Sequence, residues 1–229
     1  MCKTIKKVNV ENAAAKRKDF LNIAMENLET IEKIHVSLGN SKMGTIPSFS
    51  VLPIVTCKNC AECSRYCYAC KGCFNFNSNI MNLAENTALL FNDPERVENE
   101  LNLFLNNSTT LYRYFRFNVS GDICNMNYLN IVINIANKNQ LTKFLVFTKN
   151  YSLFNEYFSK NEKPENLCIV FSQWNNTKID NPLSFPVAIV NIENETIIPE
   201  NAFHCSGDCS NCLECWNAKK ETYRYFDLH

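Results

Sequence analysis

Residues 144–174 read Phe144-Leu-Val-Phe-Thr-Lys-Asn150, then Tyr151-Ser-Leu-Phe-Asn-Glu-Tyr-Phe158 and, after a polar link, Leu167-Cys-Ile-Val-Phe-Ser-Gln-Trp174. Phe144–Phe147 and Leu167–Phe171 are short runs, apolar at every position, as strands covered on both faces are. Ser152–Phe158 between them has helical length and spacing. Strand, helix and second apolar strand make the crossover unit of a parallel sheet. Working outward, Pro186–Val190 adds a further strand and Leu129–Asn137 a further helix. Leu111–Val119 alternates, with Phe115, Phe117 and Val119 on one side and Tyr114, Arg116, Asn118 and Ser120 on the other. Such a strand suits a barrel whose outside is covered by helices and whose inside is a wet site. Asp93-Pro94 starts a helix running to about Leu105, and Ile80–Leu90 forms another. Phe49–Val55 is extended, with Pro53 restricting it to an edge or opening position. Residues 11–34 form an amphipathic helix carrying Phe20, Ala24, Leu28 and Ile31 on one side. The fold class expected is α/β: a partial (β/α) barrel of about five to six mainly parallel strands with covering helices. An N-terminal helical segment takes residues 1–36, the partial barrel 37–200, and a Cys-rich segment 201–229.

A chain of 229 residues that is 46% hydrophobic has enough material for a full core. Met1–Phe20 lacks the apolar run of a signal peptide, and no stretch approaches a membrane span. A cytoplasmic setting follows, where clustered thiols bind metal more often than each other. Thirteen cysteines, an odd number, cannot all pair within one chain. The formal net charge is zero, so no global field points to nucleic acid. Only five glycines occur, and all fall in loops: Gly39, Gly44, Gly72, Gly121 and Gly207.

In parallel sheets the chemistry gathers at the C-terminal ends of strands. Here those ends carry Ser120-Gly121-Asp122, Thr148-Lys149-Asn150, Ser172-Gln173-Trp174 and, after Phe49–Val55, the loop 57–73 with six cysteines. Cys57, Cys60, Cys63 and Cys67 have the C-x2-C-x2-C-x3-C spacing of a bacterial ferredoxin run, with Tyr68 where proline is usual. Cys57/Cys60 and Cys70/Cys73 read equally as two zinc knuckles. Downstream, Cys205, Cys209, Cys212 and Cys215 form a complete four-thiolate set for one more metal, either zinc or a second cluster. Lys149, at a strand end, reads as a solvated lysine or as one that holds a carboxylate. Cys168, in mid-strand, reads as a small buried hydrophobe, Cys124 as an inert thiol near the site, and Cys2 as incidental. His204 reads as a hydrogen-bonding neighbour of Cys205. Arg116 and Asn118 need partners if they face a barrel interior.

The order Ser37-Leu-Gly39-Asn40-Ser-Lys42-Met-Gly44, TC…C…CYA-x-KG, RF-x-x-SGD, FTKN, VFSQW and a final C-x3-C-x2-C-x2-CW resembles the phage gene-product-88-like proteins beyond about residue 36. Such proteins occur in phages and mobile elements. The layout also resembles a shortened radical S-adenosylmethionine barrel, in which C-x3-C-x2-C thiolates, here Cys63, Cys67 and Cys70, hold three irons of a [4Fe–4S] cluster. That resemblance implies that Tyr68 packs near the adenine and that Gly121 and Asp122 meet the methionine amine. Ser120, Lys149 and Ser172 complete the cofactor side. Departures are plain: aspartate replaces the superfamily's glutamate, and the loop has three surplus thiols. Three readings follow: a radical S-adenosylmethionine-type enzyme with one or two clusters, a non-catalytic iron–sulfur protein binding a host or phage partner, and a zinc-stapled protein or nucleic-acid binder.

Overall fold

The computed structural model describes residues 6–106, 111–175, 177–192 and 195–228, so Cys2 lies outside the described residues. The strands are β1 (Val36–Ser37), β2 (Ser48–Phe49), β3 (Tyr114–Phe117), β4 (Lys143–Thr148), β5 (Leu167–Trp174), β6 (Val187–Asn191), β7 (Phe203–His204) and β8 (Tyr223–Asp227). The helices are α1 (Val10–Glu26), α2 (Ala61–Tyr66), α3 (Asn77–Asn92), α4 (Pro94–Asn106), α5 (Met126–Lys138), α6 (Tyr151–Phe158) and α7 (Cys209–Cys212). All eight strands join one sheet in the order β1-β2-β3-β4-β5-β6-β8-β7. β1 runs antiparallel to β2, and the other pairings are parallel. The protein is therefore mixed α/β with a mostly parallel sheet. No helix of the described residues is long and apolar enough to cross a membrane.

Local chemistry sets the helix ends. Asp93 accepts from the Arg96 amide at 3.1 Å with Pro94 at the first helical position, which starts α4. Asn125 accepts from the Tyr128 amide at 2.9 Å and starts α5. α1 stops at Glu26 rather than near residue 34, because Asn27 turns its side-chain amide back onto the Ile23 carbonyl at 2.8 Å and a 3₁₀ turn, Leu28–Thr30, follows.

From β2 to β6 each strand lies beside the one before it in sequence. Right-handed crossovers in that order put every connecting helix on the same face. Packing agrees: Phe115, Phe117, Phe144, Val146, Leu167, Ile169 and Phe171 share one core with Ala24 of α1, Ala84 of α3, Leu101 of α4, Leu129 of α5 and Phe154 of α6. Each such buried Leu or Phe contributes about 1.5–3 kcal/mol. The intervening strand positions point the other way. Leu145, Cys168, Val170 and Ala188 pack against Met43, Ile46 and Trp216, so this inner face is covered by the Asn40–Ile46 turn and the C-terminal segment.

Three expectations need correction. Among the described residues the sheet has eight strands, not five to six: β1 and β7 are too short for periodicity to reveal, and β8 lies in a segment whose cysteines dominate its reading. Residues 49–55 do not run on as a strand, since only Ser48–Phe49 pairs with β3 and Pro53–Val55 form a turn. Ile54 there has φ +70°, a rare conformation for a β-branched residue. The 201–229 segment also adds two strands to the sheet it covers.

Candidate metal and cofactor site

The bend after β3 is built to receive the segment that leads into the cysteine loop. Asn118, at φ +59°, tolerates the left-handed turn because its Oδ1 accepts from the Tyr128 hydroxyl at 2.8 Å. Ser50 Oγ accepts from the Val119 amide at 3.1 Å, the Val51 amide donates to the Ser120 carbonyl at 3.2 Å, and Ser120 Oγ donates to the Val51 carbonyl at 3.1 Å. Gly121 sits at φ +79°, where a Cβ would fall 2.5 Å from Val51 Cγ2 and 2.7 Å from the Val51 carbonyl oxygen. Only glycine permits this approach.

Asp122 is buried and spends its carboxylate on the backbone, accepting from the Ile123 amide at 2.7 Å and the Lys149 amide at 2.8 Å, while its own amide donates to Thr56 Oγ1 at 3.2 Å. It thereby ties the end of β3 to the end of β4. Burial raises its pKa to about 6 despite those donors and the nearby Lys149. Burial pulls the Lys149 ammonium down, but Cys63, Asp122 and Cys57 together outweigh it and the net shift is upward. The Lys149 carbonyl accepts from Asn59 of the cysteine loop at 2.7 Å. Tyr151, which donates to the Ser172 carbonyl at 2.5 Å, is raised to about 12 by burial, with Lys149, Asp122 and Cys63 close enough to act on it.

The loop thiols converge on this corner. Burial raises Cys57, with Asp122, Cys60 and Cys67 near it; burial also raises Cys60 and Cys63, against the pull of Lys149. A hydrogen bond with Cys70 draws Cys67 down to about 7 and holds the proton on Cys70. Cys73 is exposed on the 3₁₀ turn Gly72–Asn75. The Tyr68 hydroxyl donates to the Val119 carbonyl and so joins the loop to the bend.

Arg17 of α1 lies behind the loop, 0% exposed, donating to the Ala69 carbonyl at 2.9 Å and the Ala13 carbonyl at 3.1 Å. Its Nε has no partner, and among the described residues no carboxylate forms an ion pair with it. Its charge instead acts on Cys67 and Cys70. A buried cation without a counter-charge is costly, and a thiolate-bound anionic group at Cys67 and Cys70 fits as its missing partner.

The C-terminal set forms a second corner on the inner face. The Cys209 amide donates to the Lys42 carbonyl at 2.9 Å and the Cys205 amide to the Tyr225 carbonyl at 2.7 Å. Arg224 Nη1 reaches Cys215 Sγ at 3.2 Å; burial nevertheless raises that thiol to about 11. Trp216 donates its indole N–H to the Phe115 carbonyl at 3.0 Å, anchoring the segment to β3. Cys205, Cys209, Cys212 and Cys215 border a cavity of about 10 Å³. Gly44 packs so closely that a Cβ would fall 2.8 Å from Ser210 Cβ.

All described cysteines are free. Among the described residues, no three Cys, His, Asp or Glu side chains are arranged to hold a metal ion as they stand. The expected site residues Tyr68, Ser120, Gly121, Asp122 and Lys149 do share the corner with Cys57, Cys60, Cys63, Cys67 and Cys70. Ser172 lies on the inner face beside Ala188 and joins through Tyr151. His204 stacks on Tyr225 rather than meeting the thiols. Cys168 is buried, as expected, with its thiol 3.7 Å from the Ala218 carbonyl. Sequence reasoning missed Thr56, Tyr151 and Arg17. The signal for Arg17 was its place in the stripe Ala13, Arg17, Phe20, Ala24, where a charge interrupts an apolar face.

Residues 7–190 match the family model described as Gene product 88. No curated protein and no solved structure matches the chain.

Proposed function

The chain belongs to the Gene product 88 family, and we propose that it is a phage-type iron–sulfur protein on a partial (β/α) barrel, with a site suited to radical S-adenosylmethionine-like chemistry. The observation that carries this reading is the stapling of the cysteine loop to the Ser120-Gly121-Asp122 bend by Ser50, Val51, Thr56 and Tyr68. It sets C-x3-C-x2-C thiols beside the C-terminal ends of two adjacent parallel strands. Helices on one face and a partly polar inner face support the barrel.

Cys63, Cys67 and Cys70 would hold the cluster, with buried Arg17 and partly buried Lys149 as counter-charges. A [4Fe–4S] cluster held there would supply the electron for reductive cleavage of S-adenosylmethionine. The protein's own part is positional. Tyr68 and Gly121 shape the wall next to the thiols. Asp122, its carboxylate committed to two backbone amides, holds that wall in place. The C-terminal thiols, around a cavity of about 10 Å³, suit a single tetrahedral ion such as zinc better than a cubane, since that volume is about one water's.

The test is iron, sulfide and zinc content with an absorption spectrum on protein purified without oxygen, before and after S-adenosylmethionine is added under reduction. About four irons and one zinc per chain with release of 5′-deoxyadenosine is the expected outcome. Cys70→Ala should lose the iron and Cys73→Ala keep it. Iron without cofactor cleavage would leave a non-catalytic cluster protein, and zinc alone would reduce the chain to a stapled binding module.

A further inference from the structure

Arg116 stands on the inner face of β3, opposite in direction to Phe115 and Phe117 and level with Ser48 of β2 and Leu145 of β4. Its guanidinium lies over the Phe147 ring, 4.8 Å from the centroid. Among the described residues none of its donors meets an oxygen. Nη1 has Met43 Sδ at 4.0 Å, Nε is buried without a partner, and no carboxylate forms an ion pair with it. Arg96, by contrast, is matched by Glu100 and two carbonyls, and Arg224 is engaged by Cys215.

A guanidinium offers five donors in a planar fork that fits a carboxylate or phosphate bidentately. The ring beneath it fixes the plane of the fork. Because the side chain is only half-buried, a ligand can reach it. Its position is central. β3 meets the first corner where Tyr68 donates to the Val119 carbonyl, and the second where Trp216 donates to the Phe115 carbonyl at 3.0 Å.

We propose that Arg116 anchors the acidic group of the substrate, a small molecule bearing a carboxylate or phosphate, on the inner face between the two cysteine corners. This deepens the functional reading above and rests on it for the word substrate. The anion site itself does not depend on which metal is bound.

Isothermal titration of the metal-replete protein with inorganic phosphate tests it, for wild type, Arg116→Gln and Arg116→Lys, with and without S-adenosylmethionine. Phosphate is expected to bind the wild type, about ten- to a hundredfold more weakly to Arg116→Gln, and with intermediate affinity to Arg116→Lys, which keeps the charge but not the fork. S-adenosylmethionine should leave phosphate binding unchanged. No binding by the wild type, or equal binding by the Gln and wild-type proteins, overturns the site; displacement by S-adenosylmethionine overturns the assignment to substrate. Should Arg116→Gln fail to fold, the Lys comparison decides: unchanged affinity overturns the site and weakened affinity supports it. Loss of phosphate binding with normal iron content sinks this proposal alone, whereas phosphate binding by a zinc-only protein sinks the cluster reading and keeps the site.

Discussion

Replacing Arg17 by methionine should affect the metal-free and metal-loaded proteins differently. The guanidinium is 0% exposed and faces Cys67 and Cys70 with no carboxylate paired to it. In the metal-free protein, removing a poorly compensated buried charge stabilises by about 1–4 kcal/mol. Orphaning the Ala69 carbonyl, now 2.9 Å from Nη2, costs about 1–3 kcal/mol. The two nearly cancel. In the loaded protein the same change leaves a buried anionic group without its counter-charge, at a cost of about 3–5 kcal/mol. By linkage that difference appears as a fall of about two to three and a half powers of ten in metal affinity. The assay is anaerobic denaturant unfolding of both forms, together with a competitive metal titration; Arg17→Lys should restore much of the affinity. Equal destabilisation of the two forms, within about 1 kcal/mol, would refute the counter-charge argument and make Arg17 an ordinary packing residue.

Gly121→Ala forces a left-handed alanine and puts its Cβ 2.5 Å from Val51 Cγ2, so unfolding should become easier by about 2–4 kcal/mol, and an unchanged denaturation midpoint would show that the bend and the 50–56 segment are not packed as described. Glu98 accepts from Asn134 at 2.9 Å and Lys138 at 2.7 Å, and although burial opposes them these partners lower its pKa. A carboxyl lowered in the folded state adds stability above its unfolded pKa and loses it as the pH falls through the folded value. Glu98→Gln should therefore flatten the acid limb of a stability–pH curve while changing stability at pH 7 only slightly. If the C-terminal thiols hold the proposed metal, its chelation should loosen the cover on the inner face, seen as a lower melting temperature and red-shifted emission from Trp216, whereas Cys73→Ala should leave both unaltered.

Residues 114–190 were legible because their pattern has one cause. Strand segments buried on both faces must be apolar, and Phe144–Phe147, Leu167–Phe171 and Val187–Val190 are; a strand with one polar face must alternate, and β3 does. The cysteine spacing and the polar strand ends brought most of the site into view for the same reason, since both are local in sequence. What stayed hidden was tertiary. Arg17 is 52 residues from Ala69 in the chain, so nothing nearby announces that its charge faces the loop. β8 reads Tyr223-Arg-Tyr-Phe-Asp227 without a clean alternation, and its parallel neighbour β6 is fixed only by the finished sheet. Asp122 illustrates a subtler gap. Its position was foreseen as a ligand contact, yet its oxygens are taken by the Ile123 and Lys149 amides, which composition cannot reveal.

β8 is synthesised after β7 but lies between it and β6. On the ribosome, β7 therefore has no neighbour to pair with until β8 emerges. In that state the edge of β6 is unpaired as well, and both edges close in one step when β8 inserts between them.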